Sequence, residues 1–209
     1  MKIFEFQQKS VAWHEARRGI PTSSQFHRIL SAVAMKPSTS QMPYIDELLA
    51  ETYNGHYYLN DSFVSKDMQN GIDCEPAARL WYAFDRSVDV REVGFCLSDC
   101  GRYGCSPDGL VGDEGMIEIK CPKLETHIRY LREGGLPNDY KCQVHGSLIV
   151  TGLKWCDFIS YSPSDELDNL VVRVTPDDFT SALKEELEKF LAKYENAKLK
   201  IRRKTTVIF

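Results

Sequence analysis

The segment CSPDGLVGDEGMIEIKCP, from Cys105 to Pro122, restricts the fold more than any other part of the chain. In a strand of side-chain period two, Ile117, Ile119 and Cys121 share one face, and Glu118 and Lys120 share the other. Asp108 precedes the apolar pair Leu110-Val111, and Gly112-Asp113-Glu114-Gly115 supplies residues that favour a chain reversal. The pattern predicts a β-hairpin. With Asp108 directly opposite Glu118, the turn is centred on Asp113 and has an odd number of residues. The two carboxylates then point the same way, with Cα atoms roughly 4.5–5.5 Å apart.

Carboxylates that close repel, and a proton or a cation must relieve them. Hard oxygen donors with no His or Cys beside them suit Mg²⁺, with Mn²⁺ as a substitute, better than Zn²⁺. Lys120, one pleat period beyond Glu118, brings an ammonium to the same place, where it can orient an attacking water or offset charge on a scissile phosphate. A Glu-x-Lys tripeptide alone is common on the wet face of a hairpin. The whole string is more specific. Pro107-Asp108 followed by Glu118-Ile119-Lys120 matches the PD-(D/E)xK nuclease signature, and SPDG followed by EIKCP resembles the phage lambda exonuclease family, the YqaJ-like viral recombinases.

At 209 residues and 43% apolar composition the chain can bury one sizeable core, and no linker divides it, so a single domain over 1–209 is expected. Lys and Arg total 26 against 30 Asp and Glu, a formal charge of −4, which argues against a protein that coats nucleic acid through bulk charge. Contact with DNA must then be local. The opening residues MKIFEFQQKS hold no apolar run of signal-peptide length and no stretch approaches a membrane span, so a cytoplasmic protein without a membrane partner is expected. Seven scattered cysteines, an odd number mostly flanked by apolar residues, read as reduced core thiols. Cys96, Cys100 and Cys105 lie close in sequence but fit no common zinc or iron–sulfur spacing.

Along the chain, helices are predicted over Gln7–Arg17, packing through Val11, Trp13 and Ala16, and after Pro21, capped by Thr22-Ser23-Ser24 and packing through Phe26, Ile29 and Leu30. A loop over Ser31–Pro43 leads to a helix carrying Ile45, Leu48, Leu49 and Tyr53, then to an Asn-, Gly- and Tyr-rich stretch to Asp61. A helical pattern over Phe63–Asp85, interrupted near Gly71, turns Leu80, Trp81 and Phe84 to a core. A strand over Val88–Leu97, a turn at Asp99–Gly101 and a second strand precede the hairpin. After it come helices over Glu125–Arg132 and Asp139–Val150, strands over Trp155–Tyr161 and Leu170–Val174, and an amphipathic helix over Pro176–Lys200 with a basic tail to Lys204.

Trp13, His14, Arg17, Gly19, Thr22 and Ser24 are similar to the family's W-H-x-x-R-x-G-x-x-T-x-S motif. The resemblance assigns Arg17 and Ser24 to the 5′-terminal phosphate of the degraded strand; taken alone, these residues read equally well as a capped helix with solvated arginines. Gly71, Glu75, Ala78 and Arg79 resemble G-x-x-x-E-x-x-A-R, whose acid contributes to the active site, whereas by itself Glu75 is a first-turn glutamate facing a helix dipole. Tyr140 and Gln143 match Y-x-x-Q-x-Q, with His145 in place of the second Gln. Gln143 is a site residue by resemblance. His145 is a candidate DNA contact that substitutes as a donor, adds pH dependence near neutrality, or does neither.

The resemblance implies an α/β restriction-endonuclease-like core, a mixed central β-sheet flanked by helices. It implies a Mg²⁺-dependent 5′-to-3′ exonuclease that digests one strand of linear double-stranded DNA to mononucleotides, leaving 3′ single-stranded overhangs for annealing. Metal would be held by Asp108, Glu118 and the Ile119 carbonyl; Lys120 would orient water, and Glu75 and Gln143 would assist. A homotrimeric ring threaded by the DNA and a single-strand annealing partner are implied as well. A PD-(D/E)xK endonuclease and a non-catalytic DNA-end-binding protein are the alternatives.

Overall fold

A computed structural model describes residues 1–54, 66–164 and 166–203. In chain order its elements are β1 (Lys2–Phe4), α1 (Val11–Arg17), a 3-10 helix (Ser23–Arg28), α2 (Gln41–Tyr53), α3 (Lys66–Arg86), β2 (Val90–Arg91), β3 (Phe95–Leu97) and β4 (Gly104–Cys105). The second half comprises β5 (Gly109–Val111), β6 (Gly115–Lys120), α4 (Leu124–Glu133), α5 (Asn138–Thr151), β7 (Trp155–Ser160), β8 (Leu170–Val174) and α6 (Asp178–Arg203).

The hairpin forms in the expected register. Gly109 pairs with Ile117, Leu110 with Met116 and Val111 with Gly115; the ladder ends there, and Asp108, just beyond it, donates its N–H to the Ile117 carbonyl. The turn is the three-residue Gly112-Asp113-Glu114, and Gly112 takes the left-handed conformation (φ +54°) that a side chain resists. This hairpin lies inside a five-stranded sheet of order β2-β5-β6-β7-β8. Only β6 and β7 run parallel, and α4 and α5 form the crossover that such a pair requires.

Side-chain alternation sorts the sheet into two buried faces. Met116, Phe158 and Val174 pack with Val144 and Leu148 of α5 and with Leu183 and Leu187 of α6. Ile117, Ile119 and Ile159 pack on the other side with Ala78 and Tyr82 of α3. Each such buried aliphatic side chain contributes about 1.5–3 kcal/mol relative to exposure. The class is the expected one: a mixed sheet flanked by helices. Beside it stands a small antiparallel sheet of order β1-β3-β4, and among the described residues no helix is long and apolar enough to cross a membrane.

Several local expectations are corrected. The predicted strand over Val88–Leu97 is two short strands in different sheets, because the chain turns at Gly94, whose N–H donates to the Phe4 carbonyl at 2.8 Å. β1, with three residues, carries no readable period. The first helix begins at Val11 rather than Gln7, since Lys9 adopts φ +66° and Ser10 caps the helix by accepting the Trp13 N–H. Val11 is 75% exposed and does not pack as expected. The second predicted helix is a 3-10 turn without a side-chain cap, which presses Phe26 onto α5 where Gly146 leaves room; a Cβ there would meet the Phe26 ring at 2.5 Å.

The largest correction concerns α3, which runs unbroken through Gly71 and Pro76. Leu80 and Phe84 are 73% and 88% exposed, while Ala78 and Tyr82 meet the sheet. Polar anchors set this rotation. Tyr82 donates its hydroxyl to Asp157 at 2.7 Å, itself held bidentately by Arg173, and Arg79 donates to the Asp108 carbonyl at 2.8 Å. The Asn-, Gly- and Tyr-rich stretch lies outside the described residues from 55 onward, as do the beginning of the helical pattern at 63–65 and the end of the basic tail at 204.

Candidate active site

Asp108 sits where the β5 end of the hairpin meets three other segments. Its N–H donates to the Ile117 carbonyl at 3.1 Å and its own carbonyl accepts from Arg79. Gln8, from the N-terminal segment, donates to the Pro107 carbonyl at 3.1 Å and to the Val93 carbonyl at 3.0 Å. The Asp108 side chain is fixed by the Ile119 N–H, which donates to Oδ2 at 2.6 Å. Because the N–H and C=O of one strand residue point the same way, the Ile119 carbonyl faces the Asp108 side of β6.

Glu118, 3% exposed, accepts at Oε1 from Lys120 Nζ at 2.7 Å and from Gln143 Nε2 at 2.6 Å. α5 brings Gln143 to this face, and the Tyr140 ring lies 5.2 Å from the Lys120 ammonium. Burial, and then the Asp108 charge, push the Glu118 carboxyl up to about 7 despite the nearby ammonium. Asp108 is likewise raised by burial, against Lys120, the Ile119 N–H, Arg79 and Lys9. Glu75, on α3, is raised by burial and by Asp108. Burial opposes the charge on Lys120, yet Glu118 and Asp108 outweigh it and hold the lysine well above its ordinary value. Three crowded acids around one lysine leave an excess of negative charge that a cation would relieve.

The donor set fits a hard divalent ion. Asp108 Oδ1 and Glu118 Oε2 accept no hydrogen bond from any described residue, and neither is sealed from solvent. Among the described residues no three His, Cys, Asp or Glu side chains form a complete metal cage. Mg²⁺ needs none, since it typically takes one or two carboxylates and completes its shell with water and substrate phosphate.

Arg17 and Ser24 come together through Thr22: Arg17 donates to the Thr22 hydroxyl at 3.3 Å, and that oxygen lies 3.4 Å from Ser24 Oγ. Arg17 also stacks over Trp13 at 4.0 Å and donates to Ser106 at 3.0 Å, two residues before Asp108. The pair is therefore tied to the carboxylate loop, beside a cavity of about 530 Å³ that Arg17 and Thr22 line with Arg28. Residues given no role in the sequence reading do this positioning: Gln8, Arg79 and Ser106. Ser106 and Arg79 stand inside quoted motifs, whereas Gln8 carries no sequence signal.

His145 does not reach this site. It is 2% exposed, its Nδ1 lies 2.7 Å from the Thr180 hydroxyl, and its ring meets Phe179 edge-on, so it joins α5 to the start of α6. Its place here is a packing one, and burial, opposed by the Asp177 carboxylate 3.5 Å away, holds its imidazole below the ordinary value. His145→Ala is expected to lower stability by about 2–4 kcal/mol in chemical denaturation, through the cavity left beside Phe179, while kcat stays within about twofold. A large kcat loss in a stably folded variant would contradict this placement.

Residues 12–154 match the model of the YqaJ-like viral recombinase domain. The crystal structure of LHK-Exo in complex with dAMP is similar to this chain with a TM-score of 0.82 and 33% identity, covering 93% of this chain and 97% of that one. A structure of the alkaline exonuclease LHK-Exo from Laribacter hongkongensis gives a TM-score of 0.76 and 31% identity over 93% and 99% of the two chains. A phage-related exonuclease from Haemophilus somnus 129PT shares the fold, with a TM-score of 0.63 and 13% identity over 87% and 96%. No curated protein matches at the sequence level.

Proposed function

The chain belongs to the YqaJ-like viral recombinase family and is a nuclease, and we propose that it is a Mg²⁺-dependent exonuclease that digests the 5′-ended strand of linear duplex DNA. The observation that carries the reading is the meeting of the Asp108 and Glu118 carboxylates at the end of the β5–β6 ladder, with Lys120 hydrogen-bonded to Glu118. Asp108, Glu118 and the Ile119 carbonyl are the residues that would hold the metal. Bound there, a divalent ion supplies Lewis-acid polarisation of the phosphate and an acidified water.

The chain's own residues do the rest. Lys120 orients the attacking water and offsets charge gathering on the phosphate oxygens. Gln143 fixes the rotamer of Glu118, and Arg79 and Gln8 fix the loop that carries Asp108. Glu75, an acid raised above its ordinary value, can take a proton beside Asp108. Attack on phosphorus breaks the P–O3′ bond, and the departing O3′ takes up a proton. The released nucleotide keeps its 5′-phosphate, and the shortened strand begins with a new one. That chemistry accords with the dAMP bound to LHK-Exo.

Arg17 and Ser24 would grip the 5′-phosphate that each cut regenerates. Charge-assisted hydrogen bonds of this kind are worth about 1.5–3 kcal/mol, so Arg17→Ala is expected to raise KM for phosphorylated ends by about 10- to 100-fold. On 5′-hydroxyl ends the variant and the parent should converge. Equal KM values on both ends for the parent protein would remove the phosphate role. A ring-shaped homotrimer and a single-strand annealing partner, both carried by the resemblance, complete the proposal; mass measurement in solution tests the first.

A further inference from the structure

We propose that Lys9 is a substrate-positioning residue that holds a backbone phosphate adjoining the scissile one; the assignment rests on the nuclease reading above. Lys9 occupies a left-handed backbone conformation, φ +66°, where glycine is at ease and a lysine is strained. Such strain persists when the surroundings over-determine it, and it gathers at functional sites. Both neighbours are pinned here. Gln8 is clamped to the Val93 and Pro107 carbonyls, and Ser10 caps α1. The pivot between them places the exposed Lys9 on a groove of about 450 Å³ that Glu75 and Asp108 also line.

Charge decides what Lys9 does there. Among the described residues the groove presents four carboxylates, those of Glu5, Glu75, Glu92 and Asp108, against two cations, Lys9 and Arg79. Arg79 is committed to the Asp108 carbonyl and to Glu92, 3.0 Å away. The Lys9 ammonium closes no ion pair with any described residue, although both Asp108 and Glu75 feel its charge. A strand drawn to these acids, on a chain of net charge −4, meets repulsion unless a cation of the groove faces it. Lys9 is the cation placed to do so.

Lys9→Gly removes the ammonium and the backbone strain together, so a loss of binding cannot be ascribed to a damaged fold. The full chain is titrated with a 5′-phosphorylated duplex bearing a 3′ overhang, in EDTA so that nothing is cut, over a range of salt concentrations. Losing one phosphate contact should make the slope of log K against log[salt] shallower by about 0.7–0.9. With Mg²⁺, KM should rise while kcat stays near the parent value, Lys9→Arg should restore both readouts, and the Lys9→Gly melting temperature should equal or exceed the parent's. An unchanged slope and KM in Lys9→Gly overturns the proposal. So does a change confined to the Mg²⁺ half-saturation, which would mean that the ammonium only screens the acids. A parent protein that neither binds nor cuts the duplex would sink the nuclease reading itself, an outcome distinct from both.

Discussion

Lys120→Ala is expected to lower kcat on linear duplex DNA by about 10²–10³, the loss typical of removing one preorganised donor from a developing oxyanion. The effect should fall on kcat rather than KM, because the lysine acts on charge that develops in the transition state. The fold should survive. Lys120 is the last residue of β6, partly open to solvent, and the packing of that strand rests on Ile117 and Ile119 from the opposite face. Glu118 would then keep one hydrogen-bond donor, Gln143, and lose its nearest cation. Lys120→Arg should restore little, since a planar fork does not place its charge where an ammonium does. Single-turnover kinetics at saturating Mg²⁺ measure the chemical step directly; a kcat within threefold of the parent would remove Lys120 from the catalytic assignment.

Asp108→Asn should have the larger effect on activity and the opposite effect on stability. The amide oxygen can still accept from the Ile119 N–H, so the hairpin keeps its geometry, but the ligand charge is gone. Several kcal/mol of Lewis-acid stabilisation go with it, which at about 1.4 kcal/mol per decade means a loss of at least ~10³ in kcat. In metal-free buffer at alkaline pH the same variant should melt higher than the parent, by about 2–4 °C for each kcal/mol of repulsion relieved. The crowded acids also set a pH dependence. Between the ordinary glutamate range and a pH of about 7, the folded chain keeps a proton on Glu118 that the unfolded chain has released, so metal-free stability falls as pH rises through that window. Above it both states are ionised and the fall levels off. Melting curves in EDTA and in Mg²⁺ test this together: the ion should raise the melting temperature most where the acids are charged. An Asp108→Asn protein that melts lower than its parent would show that the acid stabilises the fold and that the crowding has been misjudged.

The hairpin was legible because two independent signals coincide in it. Period-two alternation fixes which residues share a face, and the Gly112–Gly115 turn fixes where the chain reverses, so the register has little freedom. The rotation of α3 was not legible. Leu80 and Phe84 make the more hydrophobic stripe, but the helix is held by Arg79 and Tyr82, whose partners Asp108 and Asp157 lie far away in sequence. His145 shows the same limit from the other side. A motif position carries a side chain into the neighbourhood of the site, and two residues along α5, more than half a helical turn, separate Gln143, which touches Glu118, from a residue buried against Thr180. Gln8 could not be found at all, because its partners are backbone carbonyls and no residue type announces them. Pairwise spacing reads local geometry well; contacts across the chain require the fold.

One measurement tests the central claim most directly. A linear duplex labelled on one strand at its phosphorylated 5′ end and, in a second sample, at its 3′ end is incubated with Mg²⁺ beside a covalently closed circular duplex. The account predicts prompt release of labelled mononucleotide from the 5′ end, late release from the 3′ end, an intact circle, and loss of all release in EDTA. Cutting of the circle, or prompt release from the 3′ end, would contradict it.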